Sequence, residues 1–156
     1  MAKEKIGFMA SLGFSKMEPG EVLDILSRIG YRAVEWTLAH LDPRRKSLSE
    51  IKGIVRLTGK HGLEISEAVV QQDLVIPDRT LRRQTVDFVL RCIRTFSEAG
   101  IPAINLFTGP RPWEPGAPRI NRTIAEGEAW NLVYRAFDLL VPEAEKRGIN
   151  LAVEGV

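Results

Sequence analysis

Short apolar runs alternate with amphipathic stretches along this chain, and glycines punctuate the alternation. Lys5 to Met9 is a strand candidate, followed by the small-residue turn Ala10 to Gly13. Glu18-Pro19 suits a helix start, Val22, Ile25, Leu26 and Ile29 recur at helical spacing, and Gly30 supplies the stop. Tyr31 to Trp36 predicts a second strand with Glu35 near its C-terminal end. Ser47-Leu-Ser-Glu50 has the form of a capping box, so a second helix begins there, with Ile51, Ile54 and Val55 facing the core and Gly62 ending it. Leu63 to Glu67 predicts a third strand, with Glu67 near its C-terminal end. After Pro77-Asp78 a longer helix carries the stripe Leu81, Val86, Val89, Leu90, Ile93 and Ser97, closed by Gly100. Ala103 to Phe107 predicts a fourth strand. Trp130, Val133, Tyr134, Phe137, Leu140, Val141 and Ala144 predict a fourth helix, which Pro142 should kink or split. Leu151, Ala152 and Val153 then read as a fifth strand, buried on both faces, that delivers Glu154 to its end.

Four helices therefore end in glycine followed at once by an apolar strand, at Gly30, Gly62, Gly100 and Gly148, spaced by 32, 38 and 48 residues. This strand-helix repeat predicts an α/β fold with a parallel sheet and crossover helices. Two arrangements satisfy it, a doubly wound open sheet and an arc of a barrel. No Gly-x-Gly-x-x-Gly or Walker-type loop follows the first strand, which weakens the nucleotide-binding open sheet and favours the barrel arc. In both arrangements chemistry sits at the C-terminal ends of the strands, which singles out Glu154 and, behind it, Glu35.

Composition narrows the partners. The 156 residues are 44% hydrophobic and 27% charged, the balance of a soluble domain with a sizeable core. The 22 Lys and Arg are interleaved with 20 acids, and a net charge of +2 is too small to imply a nucleic-acid or membrane partner. The single cysteine, Cys92, fits a reducing compartment and packs in a helical pattern. No segment reads as a signal peptide or reaches transmembrane length, so a cytoplasmic protein is expected.

The opening Ile6-Gly-Phe with its small-residue turn, the Gly30-Tyr-Arg-Ala-Val-Glu-Trp36 strand and the Gly148-Ile-Asn-Leu-Ala-Val-Glu154 strand resemble the xylose isomerase-like (β/α)₈ barrels. That family includes sugar phosphate isomerases and epimerases, ketose 3-epimerases, hydroxypyruvate isomerase, inosose dehydratase and, more distantly, endonuclease IV. The resemblance implies that residues 1–156 are one incomplete domain, the N-terminal four and a half units of a TIM barrel. A complete barrel needs about 250 residues. Glu154 matches the family's fifth-strand glutamate, a ligand of the divalent metal and an acid/base group in the epimerases. Glu35 matches a second-strand glutamate and takes a supporting, substrate-side role. Arg111 and Trp113 lie in the Pro/Gly-rich loop where relatives often place substrate contacts, and His40 lies in the polar loop after the second strand. The family's other metal ligands, an Asp, a His and a second Glu, come from later strands and are expected beyond residue 156. The chain thus reads as truncated, or as one that completes a barrel by association, so a homo-oligomer is compatible with it.

The chemistry implied is isomerisation or epimerisation of a sugar, sugar phosphate or hydroxy-keto substrate. A divalent ion (Mn, Mg, Co or Zn) polarises the carbonyl and hydroxyl oxygens, and a carboxylate removes the acidified carbon-bound proton through a metal-stabilised enediolate. Each candidate also has a structural reading. Glu35 could satisfy a neighbouring cation, His40 could be solvated, Trp113 could anchor its loop, and His61 suits a helix C-terminus. Two other functions compete. An endonuclease IV-like nuclease would need a multi-His metal site, against two histidines here. A non-catalytic half-barrel would dimerise to bury its open edges.

Overall fold

In the computed structural model, which describes residues 5–111 and 113–154, five parallel strands form one sheet: β1 (Gly7–Met9), β2 (Ala33–Thr37), β3 (Glu64–Val69), β4 (Ala103–Phe107) and β5 (Asn150–Glu154). Their order in the sheet is their order in the chain. A doubly wound sheet would reverse direction at a switch point; this one does not, so every crossover advances the same way, as in a barrel arc.

Helices cover one face of the sheet. The segment α1 (Ser11–Phe14) is an irregular turn, with Leu12 and Gly13 outside helical dihedrals. The crossover helix α2 (Pro19–Ile29) starts with Pro at its first position and a reciprocal Glu18/Glu21 capping box. The one-turn α3 (Leu38–Leu41) follows β2. The next crossover, α4 (Leu48–Lys60), starts at the predicted Ser47/Glu50 box. The long helices α5 (Arg79–Ala99) and α6 (Glu126–Arg147) complete the layer. Gly148 adopts φ 63°, and its N–H reaches back to the Ala144 and Glu145 carbonyls, which turns the chain directly into β5.

The core lies between sheet and helices. Val34, Trp36, Ile104 and Leu106 project from the strands against Leu23, Leu26, Ile51, Ile93, Phe96 and Leu140, all fully or almost fully buried. Each such side chain contributes roughly 1.5–3 kcal/mol by leaving water. Trp36 also needs a hydrogen-bond acceptor, and Thr58 of α4 supplies it: the indole Nε1–H donates to Thr58 Oγ1 at 3.0 Å, and that hydroxyl donates to the Ile54 carbonyl at 2.9 Å. Cys92 is fully buried, and burial pushes its thiol up to about 12, so it packs rather than reacts. Between α5 and α6, the Glu143 carboxylate accepts from Arg147 Nε at 2.7 Å and Arg94 Nε at 2.8 Å.

Several expectations change. The third strand continues to Val69, so Glu67 lies inside it rather than near its end. Leu81 is exposed. In α6 the buried stripe is Ala129, Leu132, Val133, Ala136, Leu140 and Ala144, while Trp130 and Tyr134 stack on each other at the surface, 5.9 Å between ring centres. The first half of this stripe, Ala129, Leu132 and Val133, packs with Val75 and Ile124, and the second half, Ala136, Leu140 and Ala144, joins the main core. Nor does Pro142 split α6: the helix runs through it, and both Pro142 and Asp138, whose carbonyl loses its partner, are exposed to water. Strand β5 is covered less than expected, with Val153 52% exposed, because among the described residues it has one strand neighbour, β4. No described helix is long and apolar enough to cross a membrane.

Candidate functional site

The face of the sheet away from the helices is polar, and register decides which side chains reach it. Val34 and Trp36 point into the helix-covered core, so Ala33, Glu35 and Thr37 point the other way. Val34 pairs with Ile65, but Glu35 pairs with Glu67, the shift marking a bulge at Ser66. Strict alternation after Ile65 would send Glu67 into the core; the extra residue turns it to the polar face instead. Next, Val69 pairs with Asn105, which puts Asn105 on the same face, and Asn105 pairs with Ala152 and Phe107 with Glu154. Four neighbouring strands thus present Glu35, Glu67, Asn105 and Glu154 on one surface, with Glu154 at the C-terminal end. Strand β1 borders this row at Gly7, where a Cβ would sit in ordinary contact with Glu35 Oε1 at 3.6 Å and the Ala33 Cβ at 3.4 Å.

These groups sense one another. Burial pushes the Glu67 carboxyl above the ordinary carboxylate range, the Glu35 charge adds to the shift, the Asn105 side chain offsets part of it, and Glu154 contributes a smaller push. Asn105 Oδ1 is buried without a hydrogen-bond partner. A surface of carboxylate and amide oxygens suits a hard divalent cation. Among the described residues, no three His, Cys, Asp or Glu side chains converge closely enough to hold a metal by themselves. The donor type therefore fits a metal, and the donor set is partial.

The loop after β4 brings an aromatic to the same end. Trp113, 57% exposed, meets Phe107 edge to face, 5.6 Å between ring centres. Arg111 is held within the loops: its Nη1 donates to the Gln71 carbonyl at 3.4 Å and lies 3.3 Å from Glu114 Oε1. A cleft of about 640 Å³ follows this loop, lined by Trp113, Glu114, Arg119 and Ile120 among others, and contains none of the carboxylates of the sheet face.

Of the residues singled out in the sequence, the structure brings Glu35 and Glu154 onto one face and Trp113 to the adjoining rim, with Arg111 behind it. His40 is apart from them. It is buried rather than solvated, its ring packs edge to face on Trp36 in the helix-covered core, and its Nε2 lies 3.2 Å from the Met17 carbonyl oxygen. Burial pulls its pKa below the ordinary histidine value. The same loop is fastened by Asp42, whose carboxylate accepts from the Arg44 side chain at 2.7–3.1 Å; burial pushes Asp42 up, but the Arg44 hydrogen bonds outweigh it and leave it below the usual range. His61 closes α4 as a structural residue, between the Leu57 carbonyl and Asp24. Two further residues of this face, Glu67 and Asn105, are not among the candidates that the sequence singles out. Asn105 was detectable as the one polar residue in Ala103 to Phe107; Glu67 depended on the bulge.

The xylose isomerase-like TIM barrel family model matches residues 23–156. No curated protein matches the sequence. Among solved structures, D-psicose 3-epimerase in the presence of D-fructose superposes with a TM-score of 0.77 at 16% identity over 96% of this chain and 52% of its own. A 3-keto-D-glucoside 4-epimerase from E. coli gives 0.75 at 16% identity, over 97% of this chain and 56% of its own. IolI with a bound zinc atom gives 0.71 at 14% identity, over 98% and 52%. The chain spans about half the length of each of these structures.

Proposed function

Because the chain belongs to the xylose isomerase-like TIM barrel family, we propose that it is the N-terminal part of a divalent-metal-dependent isomerase or epimerase acting on a sugar or sugar phosphate. The observation that carries this reading is the row Glu35, Glu67, Asn105 and Glu154 on the open face of a singly wound parallel sheet. The solved structures it resembles include two sugar epimerases and a zinc-bound protein.

When bound, a divalent ion would polarise the carbonyl and hydroxyl oxygens of the substrate and acidify the carbon-bound proton between them. Glu154 is the residue proposed to hold it, with the remaining ligands supplied from outside the described residues. At the exposed end of β5, Glu154 is also free to accept a substrate proton, since no side chain of the described chain engages its carboxylate. Delivery of a proton to the same carbon from the opposite face, by a second acid/base group across the barrel, gives an epimer, and return of the proton to the neighbouring carbon gives an isomer. Glu35 and Glu67 stand beside each other behind Glu154 on the same face, where they make the surroundings of a bound cation acidic. Trp113 offers an apolar wall of the kind that stacks on a sugar ring, and Arg111 fixes its loop.

The test is solvent-deuterium incorporation into D-fructose by the protein that carries this chain, loaded with Mn²⁺. Deuterium should appear at a carbon adjoining the carbonyl and should disappear in Glu154→Gln. Equal incorporation in the variant would overturn the assignment of Glu154. The endonuclease-like alternative, which needs a multi-His metal site, is disfavoured because His40 and His61 both lie away from this surface.

A further inference from the structure

We propose that Asp73 is a positioning residue that fastens the loop after β3 to the loop after β4 and thereby sets Trp113 against Phe107. The proposal rests on the reading above only in giving Trp113 a substrate to meet. Asp73 stands between a rigid anchor and a loop that needs one. On the anchored side, Leu74 and Val75 are buried, and the Val75 N–H donates to Asp73 Oδ1 at 2.8 Å. On the other side, the Arg111 backbone N–H and then the Arg111 charge act on the carboxylate and favour its ionised form, two residues before Trp113. Gly109 passes directly over this contact. Its φ of 77° is one that side-chain-bearing residues rarely adopt, and a Cβ there would land on the Asp73 carboxylate and 3.2 Å from the Leu74 nitrogen. The Arg111 side chain ties the same two loops a second time through the Gln71 carbonyl. A half-buried carboxylate is costly to desolvate, and burial raises this one. Asp73 is outside the row of site carboxylates, so its placement is accounted for by the two loops it joins.

The experiment uses the chain with Trp130→Phe, leaving buried Trp36 as a constant background and Trp113 as the accessible indole. Asp73→Ala should raise acrylamide quenching of Trp113 about twofold, because a loop that has lost its anchor opens locally. Asp73→Asn, which keeps one acceptor oxygen, should restore at least half of the difference, a rescue that general loosening of the fold would not give. If Asp73→Ala loses its far-UV circular dichroism, Gly109→Ala, which forces the carboxylate away, takes its place and should show the same rise. Equal quenching in parent and folded variants would overturn the proposal. D-Fructose with Mn²⁺, added to the protein that carries this chain, provides the separate arm: if Trp113 emission there ignores the sugar, the substrate reading fails while the quenching result stands.

Discussion

Glu35 and Glu67 face each other across β2 and β3 because one extra residue, Ser66, interrupts the ladder between them. Without it Glu67 would point with Ile65 into the apolar core, where an ionised carboxylate is far more costly. The bulge places two like charges opposite one another, an arrangement that weakens a sheet and is tolerated where a site needs acidic oxygens.

That cost is measurable as a pH dependence. Burial, then the Glu35 charge, holds the folded-state pKa of Glu67 above its ordinary value. The folded chain therefore binds this proton more tightly than the unfolded chain. The resulting stabilisation is complete below the unfolded pKa and is lost as pH rises through the folded one. Glu67→Gln should accordingly raise Tm by about 1–3 °C near pH 8, the scale of a like-charge cross-strand pair of roughly 0.2–1 kcal/mol. The difference should close near pH 4. A variant that melts at or below wild type at pH 8 would show the pair to be harmless.

How far the sequence revealed this site depends on the kind of interaction. Helix ends were legible because they are local: Ser47 and Glu50 cap each other within one turn, and Gly100 and Gly148 stop helices by their own backbone conformation. The parallel sheet followed from those punctuation marks. The face of each strand was legible only where alternation is unbroken, as at Glu35 and Glu154. At Glu67 the deciding fact is a pairing between residues more than thirty apart, which no window along the chain contains. Trp130 and Tyr134 misled for a related reason, since helical spacing groups them with Val133 and Phe137, and only contact with α5 decides which side of α6 is buried. His40 sits in a polar segment whose burial comes from Trp36 and Met17 closing over it.

The bond from Trp36 to Thr58 tests the helix-covered core independently. Both residues are buried, and the indole N–H has no other acceptor among the described residues. Thr58→Val preserves shape and removes the acceptor. An unsatisfied buried donor costs about 1–3 kcal/mol, so Tm should fall by roughly 3–10 °C in a domain of this size. A loss below about 1 °C in thermal denaturation would mean that the core rearranges to satisfy Trp36 elsewhere.

Glu143 ties α5 to α6 and should act with the opposite pH sign. Hydrogen bonds from Arg147 and then Arg94 pull its carboxyl down to about 2. A depressed carboxylate stabilises the fold above its unfolded pKa and loses that contribution as pH falls through the folded value. Glu143→Gln should therefore lower Tm slightly at pH 7, with the gap closing between about pH 5 and pH 2. High salt should shrink the gap at neutral pH, because these groups lie at the surface. Comparing melts at low and high ionic strength checks this, and a salt-insensitive gap would point to packing rather than charge.

Glu154 differs from Glu67 and Glu143 in that the fold scarcely uses it. It sits at the exposed end of β5, and no hydrogen bond or ion pair engages its side chain among the described residues. Removing its charge should change stability by no more than about 0.5 kcal/mol, as for an ordinary surface position. If it holds a divalent ion, the metal stabilises the folded state by mass action, about 2.7 kcal/mol at a hundredfold excess over Kd, and Tm rises with added Mn²⁺. Glu154→Gln should keep the metal-free Tm and lose most of that rise. Glu67→Gln should start from a higher metal-free Tm and retain more of the response, because its carboxylate lies inside β3, further from the strand end. Differential scanning calorimetry of the three proteins with and without Mn²⁺ separates these behaviours. An unchanged Mn²⁺ response in Glu154→Gln would remove Glu154 from the metal site and leave the inner carboxylates, Glu35 and Glu67, as the pair to test next.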